Sequence, residues 1–147
     1  MKTSGPAIVF VAALFAAVSF GGLAAAAPLI PLGSYAISEE VCKLSGDDTT
    51  SMADFRSRFG SDAVLDVTKD HLTFAAIPAY CDIVNPKQEN STTIKAKAEC
   101  NVAGATEDVI FSFELKTNRL SVRVSKGPSD GWFSPDFHKD YILCPKN

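Results

Sequence analysis

The chain has 147 residues, 46% hydrophobic and 21% charged, with a formal net charge of −3. That length holds one modest domain and is too short for a two-domain dinucleotide enzyme or a TIM barrel. The apolar content excludes a disordered chain, and the acidic balance argues against an electrostatic grip on nucleic acid or anionic lipid.

Met1 to Ala26 has the pattern of a secretory signal peptide. Lys2 supplies the positive start and Ala7 to Phe20 the apolar stretch. Gly21-Gly22 breaks the helix, and Ala24-Ala25-Ala26 offers the small residues a peptidase needs. A cut after Ala26 leaves Pro28 at the second mature position, whereas a cut after Ala27 would put it first, where proline is poorly tolerated. The competing reading is a membrane anchor, but the apolar run falls short of a span of about 20 residues. No cysteine lies near the cut, as a lipid anchor would require. Cleavage leaves residues 27–147 as one secreted or periplasmic domain with no membrane segment, and loss of Lys2 moves the formal charge from −3 to −4. Ala27 to Gly33, with Pro28 and Pro31, reads as a flexible lead-in.

The first strand is expected at Tyr35 to Ile37. Ser51 to Phe59 has a helical pattern. Met52, Phe55 and Phe59 share a face, Ser51 caps the start with Asp54 three residues on, Arg56 and Arg58 favour the end, and Gly60 stops it. Its plain role is to cover the open end or one face of a sheet. Most of the chain beyond Gly60 alternates with period two. Ala63, Leu65 and Val67 share a face; past Lys69-Asp70 so do Leu72, Phe74 and Ala76; Cys81 and Ile83 come after Pro78. Ile94, Ala96, Ala98 and Cys100 oppose Lys95, Lys97 and Glu99, the cleanest half-buried strand in the chain. Val109 to Leu115, Leu120 to Val124 and Asp140 to Cys144 complete the set. Seven or eight short hairpin-connected strands of this kind make an all-β domain, an antiparallel barrel or sandwich with one short helix.

All four cysteines, Cys42, Cys81, Cys100 and Cys144, lie beyond the leader. An even count in an exported chain reads as disulfides. Of three pairings, Cys81–Cys100 with Cys42–Cys144 fits the geometry best. The segments around Cys81 and Cys100 fold about Pro86 to Asn90, and their midpoint falls near Asn90-Ser91, so a symmetric hairpin sets the two face to face. Cys42 and Cys144 then tie the first element to the last. By chain entropy the short loop contributes about 3 kcal/mol and the long one about 4.7 kcal/mol. Zinc and redox sites need close pairs such as C-x-x-C, and none is present.

Chemistry has few candidates. The two histidines, His71 and His138, lie in no nucleophile, zinc-protease or phosphate-loop motif, and His71 beside a turn reads as a surface residue. Asp136-x-His138-x-Asp140 puts three ligand types on one side of a strand, but one strand cannot surround a metal. No pair of carboxylates is singled out for glycoside hydrolysis. We therefore expect no catalytic residues, metal or cofactor. Gly127 to Pro135 (GPSDGWFSP) is the longest turn-rich connection and holds Trp132, the only tryptophan, beside Phe133. Aromatics on a loop act as anchors for partners or fold back to plug a barrel end, and one ring can do each. Lys126, Asp130, Trp132 and Phe133 are the binding candidates. Ala75, Ala76, Ala96 and Ala98 leave room for an internal ligand or for close packing. Asn90-Ser91-Thr92 is a glycosylation sequon on a loop, relevant in a eukaryotic host.

Ser125-Lys126-Gly127, followed by Tyr141-Ile142-Leu143-Cys144, resembles the end of the small periplasmic inhibitors of C-type lysozyme. The resemblance implies a disulfide-tied β-barrel whose exposed loop enters the lysozyme cleft. By matching position it carries over Lys126 alone, because Thr117 to Val124 reads TNRLSVRV where that family has a Ser-Gly…Tyr stretch. The expectation is thus a monomeric, exported binding protein without catalytic activity, with hydrolase inhibition as its specific form. The alternative is a carrier of a small apolar ligand in the barrel interior. The partner is a protein or that ligand, not nucleic acid.

Overall fold

The computed structural model describes residues 28–45, 51–75 and 79–146. The leader, Ala76 and Pro78 lie outside the described residues. The period-two segments form eight strands: β1 (Gly33–Ala36), β2 (Val64–Val67), β3 (His71–Phe74), β4 (Ala79–Gln88), β5 (Thr93–Val102), β6 (Ala105–Lys116), β7 (Arg119–Lys126) and β8 (His138–Leu143). Each pairs antiparallel with the next, and β1 also pairs with β8, Tyr35 opposite Leu143, so the sheet closes into a barrel rather than splitting into a sandwich.

Alternation decides what fills the barrel. Leu65, Leu72, Phe74, Ile94, Phe111, Phe113, Leu120, Val122 and Tyr141 point inward and are fully buried, with Ala96 and Ala98 among them. The Tyr141 hydroxyl donates to the Asp62 carbonyl at 2.9 Å, so the one polar tip of that group is satisfied. The lead-in is anchored, contrary to the flexible segment expected: Ile30 is buried in the core, and the Tyr35 hydroxyl donates to the Pro31 carbonyl.

The two disulfides are Cys81–Cys100, between directly opposed residues of β4 and β5, and Cys42–Cys144. Two disulfides suit an oxidising, extracellular environment. No helix among the described residues is long and apolar enough to cross a membrane.

Two helices cover one wall from outside. α2 (Met52–Phe59) is the helix expected from Ser51 to Phe59, with the Ser51 hydroxyl accepting the Asp54 N–H. A second helix, α1 (Glu39–Leu44), precedes it. Six residues are too few to display a period, but its caps are ordinary: the Ser38 hydroxyl accepts the Val41 N–H, two glutamates open the first turn and Lys43 closes the last. Val41 and Phe55 bury the outward-facing Ala36 and Val64 in a second small core. Cys42 lies in α1, so its disulfide pins a helix to the segment after β8 rather than joining two strands.

The opposite wall is bare and holds two irregularities. The β4–β5 register shifts between Val84 and Lys87, with Asn85 at φ 50°, and the β6–β7 register shifts between Ile110 and Phe111.

Candidate functional site

The 127–135 loop closes one end of the barrel, and its two aromatic rings part ways. Phe133 has no exposed surface and packs against Phe74, Phe111 and Phe137, with ring centroids 5.1, 5.2 and 5.4 Å away. It is a core residue, which removes it from the binding candidates: the barrel end needs a ring there to exclude water. Trp132 is 38% exposed, and Lys126 and Asp130 are exposed near it in the chain.

What holds the loop is Glu107, a residue that no sequence motif marks. One carboxylate oxygen accepts the Trp132 N–H at 2.9 Å, and the other accepts the Phe133 N–H at 3.0 Å. Such charge-assisted bonds are stronger than neutral ones. A signal was present all the same. Glu107 shares its parity with the inward-facing Val109, Phe111 and Phe113, and an acid on the buried side of a strand needs donors. The glycines answer the same packing. A Cβ on Gly127 would stand 2.1 Å from the Phe133 carbonyl oxygen, and one on Gly131 would stand 2.2 Å from the Pro128 ring and 2.8 Å from Glu107. The loop is folded onto itself and clamped, with Trp132 on its outside.

The histidines fall into two surface groups, neither of them part of this loop. On β3 and β4, His71 Nδ1 lies 2.7 Å from Asp82 Oδ1 and 2.6 Å from the Tyr80 hydroxyl, and the His71 and Tyr80 rings are 4.8 Å apart. On β7 and β8, His138 Nε2 lies 3.1 Å from the Ser121 hydroxyl and 3.5 Å from Asp140. The Ser121 hydroxyl, with a smaller contribution from His138, holds the Asp140 carboxyl below its usual value. Ser, His and Asp thus meet, but Ser121 and Asp140 address the same ring nitrogen. A nucleophilic triad needs them on opposite nitrogens, so this group is not arranged as one. Asp136 does not join it, and no group of three metal-ligating side chains gathers among the described residues.

At the Asn90-Ser91-Thr92 tip, the Asn90 side-chain oxygen accepts the Thr92 and Thr93 N–H groups, which tightens the β4–β5 turn. No family model, curated protein or solved structure matches this chain.

Proposed function

We infer that this is an exported, non-catalytic binding protein of the secreted or periplasmic space, and that it engages a protein partner through the 127–135 loop. The observation that carries the reading is Trp132. It is left 38% exposed on a loop whose backbone is fixed by Glu107 and whose neighbouring ring is sunk in the core. A large ring held in place loses little entropy on binding, which is the usual character of an interface anchor. Lys126 and Asp130 flank it as polar contacts. The leader-like start and two disulfides support export.

Hydrolase inhibition is the specific form we favour, supported by the resemblance around Lys126. A carrier is the weaker alternative, because Phe74, Phe111, Phe113 and Phe133 occupy the space where an internal ligand would lie.

A photo-crosslinking amino acid in place of Trp132, in the cell that exports the protein, tests the partner reading. A discrete protein adduct is expected there and none from the same probe at exposed Met52 on α2. Equal labelling at both positions, or none at either, contradicts it. Inhibition of a C-type lysozyme by the native protein, lost in Lys126→Ala and Trp132→Ala, is the expected result for the specific form. Full lysozyme activity at saturating protein rules that form out.

A further inference from the structure

The bare wall carries an arrangement of charge that the net acidity of the chain conceals. Register aligns two neighbouring rows on its outer face. One runs Val84, Lys97, Ile110, Lys126 and the next Lys87, Lys95, Ser112, Arg123. The rows hold five cations and no acid. Among the described residues only Lys95 of these five has an ion-pair partner, Glu89 at 2.8 Å.

Two of these lysines are there because the strands are irregular. Lys87 has the sequence parity of Cys81 and Ile83, and Lys126 that of Val122 and Val124, so regular strands would aim both inward. The shift between Val84 and Lys87 sets Lys87 opposite Lys95, and the shift between Ile110 and Phe111 sets Lys126 opposite Ile110. Two separate bulges thus deliver lysines to one patch, and re-aiming a side chain is what bulges next to functional surfaces do. The Lys87–Lys95 pairing opposes like charges directly, which costs stability with no structural return. Shallow troughs of about 380 and 750 Å³ share Lys97 and Ile110; the smaller reaches Glu99 and Asp108 of the next row, and the larger follows Lys87, Lys95 and Glu89.

We propose that this face binds an extended acidic segment of a protein partner. Across four strands at about 4.8 Å per step the basic row spans about 14 Å, enough for two or three same-side residues of an extended chain. Val84, 45% exposed, and the half-buried Ile110 offer aliphatic contact between the cations. No aromatic ring stands on either row, so the stacking that single-stranded nucleic acid uses is missing. The rows on either side carry acids, Asp82, Glu99 and Asp108 on one and Glu114 and Asp140 on the other. A planar anionic bilayer would also meet the acidic rows and be repelled by them, whereas a single acidic strand can lie along the basic ones. The proposal shares Lys126 with the loop reading but does not depend on the role given to Trp132.

The test is fluorescence anisotropy with a labelled oligo-glutamate at low ionic strength. Saturable binding is expected, weakened at least tenfold in Lys97→Glu/Lys126→Glu. It should be nearly unchanged in Lys69→Glu/Lys146→Glu, which alters net charge equally elsewhere. Circular dichroism and Tm of each variant establish that it is folded. No saturable binding by the native protein, or equal loss in both double variants, overturns the proposal. So does tighter binding of phosphatidylglycerol vesicles or single-stranded DNA than of oligo-glutamate.

Discussion

Two walls of the same barrel treat their outer faces in opposite ways. Over β1 and β2 the outward residues Ala36 and Val64 are apolar, and two helices and a disulfide cover them. Over β4 to β7 two outward rows carry four lysines, an arginine and isolated aliphatics, acidic rows lie beside them, and nothing is laid on top. The covered wall devotes its residues to stability. The bare wall gives up regular pairing and sets like charges side by side, choices that folding alone does not require. The clamped loop lies on the bare side, directly after Lys126.

Substitutions should separate the walls by size of effect. Phe55→Ala on the covered wall empties a buried ring site and is expected to cost about 3–5 kcal/mol, measured by urea unfolding. A loss below about 1 kcal/mol would mean that α2 is only loosely attached. Replacing Cys42 and Cys144 by serine should cost about 2–5 kcal/mol, read by the same method. At the loop's clamp on β6, Glu107→Ala leaves two amides without their acceptor and should cost about 1–3 kcal/mol. It should also increase hydrogen exchange at Trp132 and Phe133.

The bare wall should respond least. Lys97→Ala is expected to stay within about 0.5 kcal/mol of the native protein, and Lys87→Ala should raise Tm slightly by removing the like-charge pair. A clear drop in either would assign these lysines to the fold. Asp140 gives a further small effect, present at neutral pH and lost in acid. Its folded pKa lies below the usual 3.8, so its contribution is present above that pH and fades as the pH falls through it and lower. Asp140→Asn should therefore lower stability slightly at neutral pH, converge with the native protein in strong acid and so flatten the acid limb of the stability profile.

The barrel was largely legible in the sequence because period-two alternation states which side of a strand is wet, as in Ile94 to Cys100. The symmetry of the β4–β5 hairpin pointed to Cys81–Cys100 for the same reason. α1 was not legible by period, since six residues make less than two turns; the signal that could have found it is Ser38 followed by two glutamates. Of the site, the sequence offered Lys126, Asp130, Trp132 and Phe133, the last of them a core ring, but not what holds the loop. Glu107 makes its contacts 25 and 26 residues away, and only its inward parity hinted at them. The bulges were hidden altogether, because register is a property of two strands and parity counted along one strand sends Lys87 and Lys126 the wrong way.

Partner binding through Trp132 requires that its loop be fixed before the partner arrives. Because Trp132 is the only tryptophan, its time-resolved fluorescence anisotropy in the native protein reports on that loop alone. A decay governed by whole-molecule tumbling, with a fast local component appearing in Glu107→Ala, is the result expected. A dominant fast component in the native protein would contradict a preformed anchor.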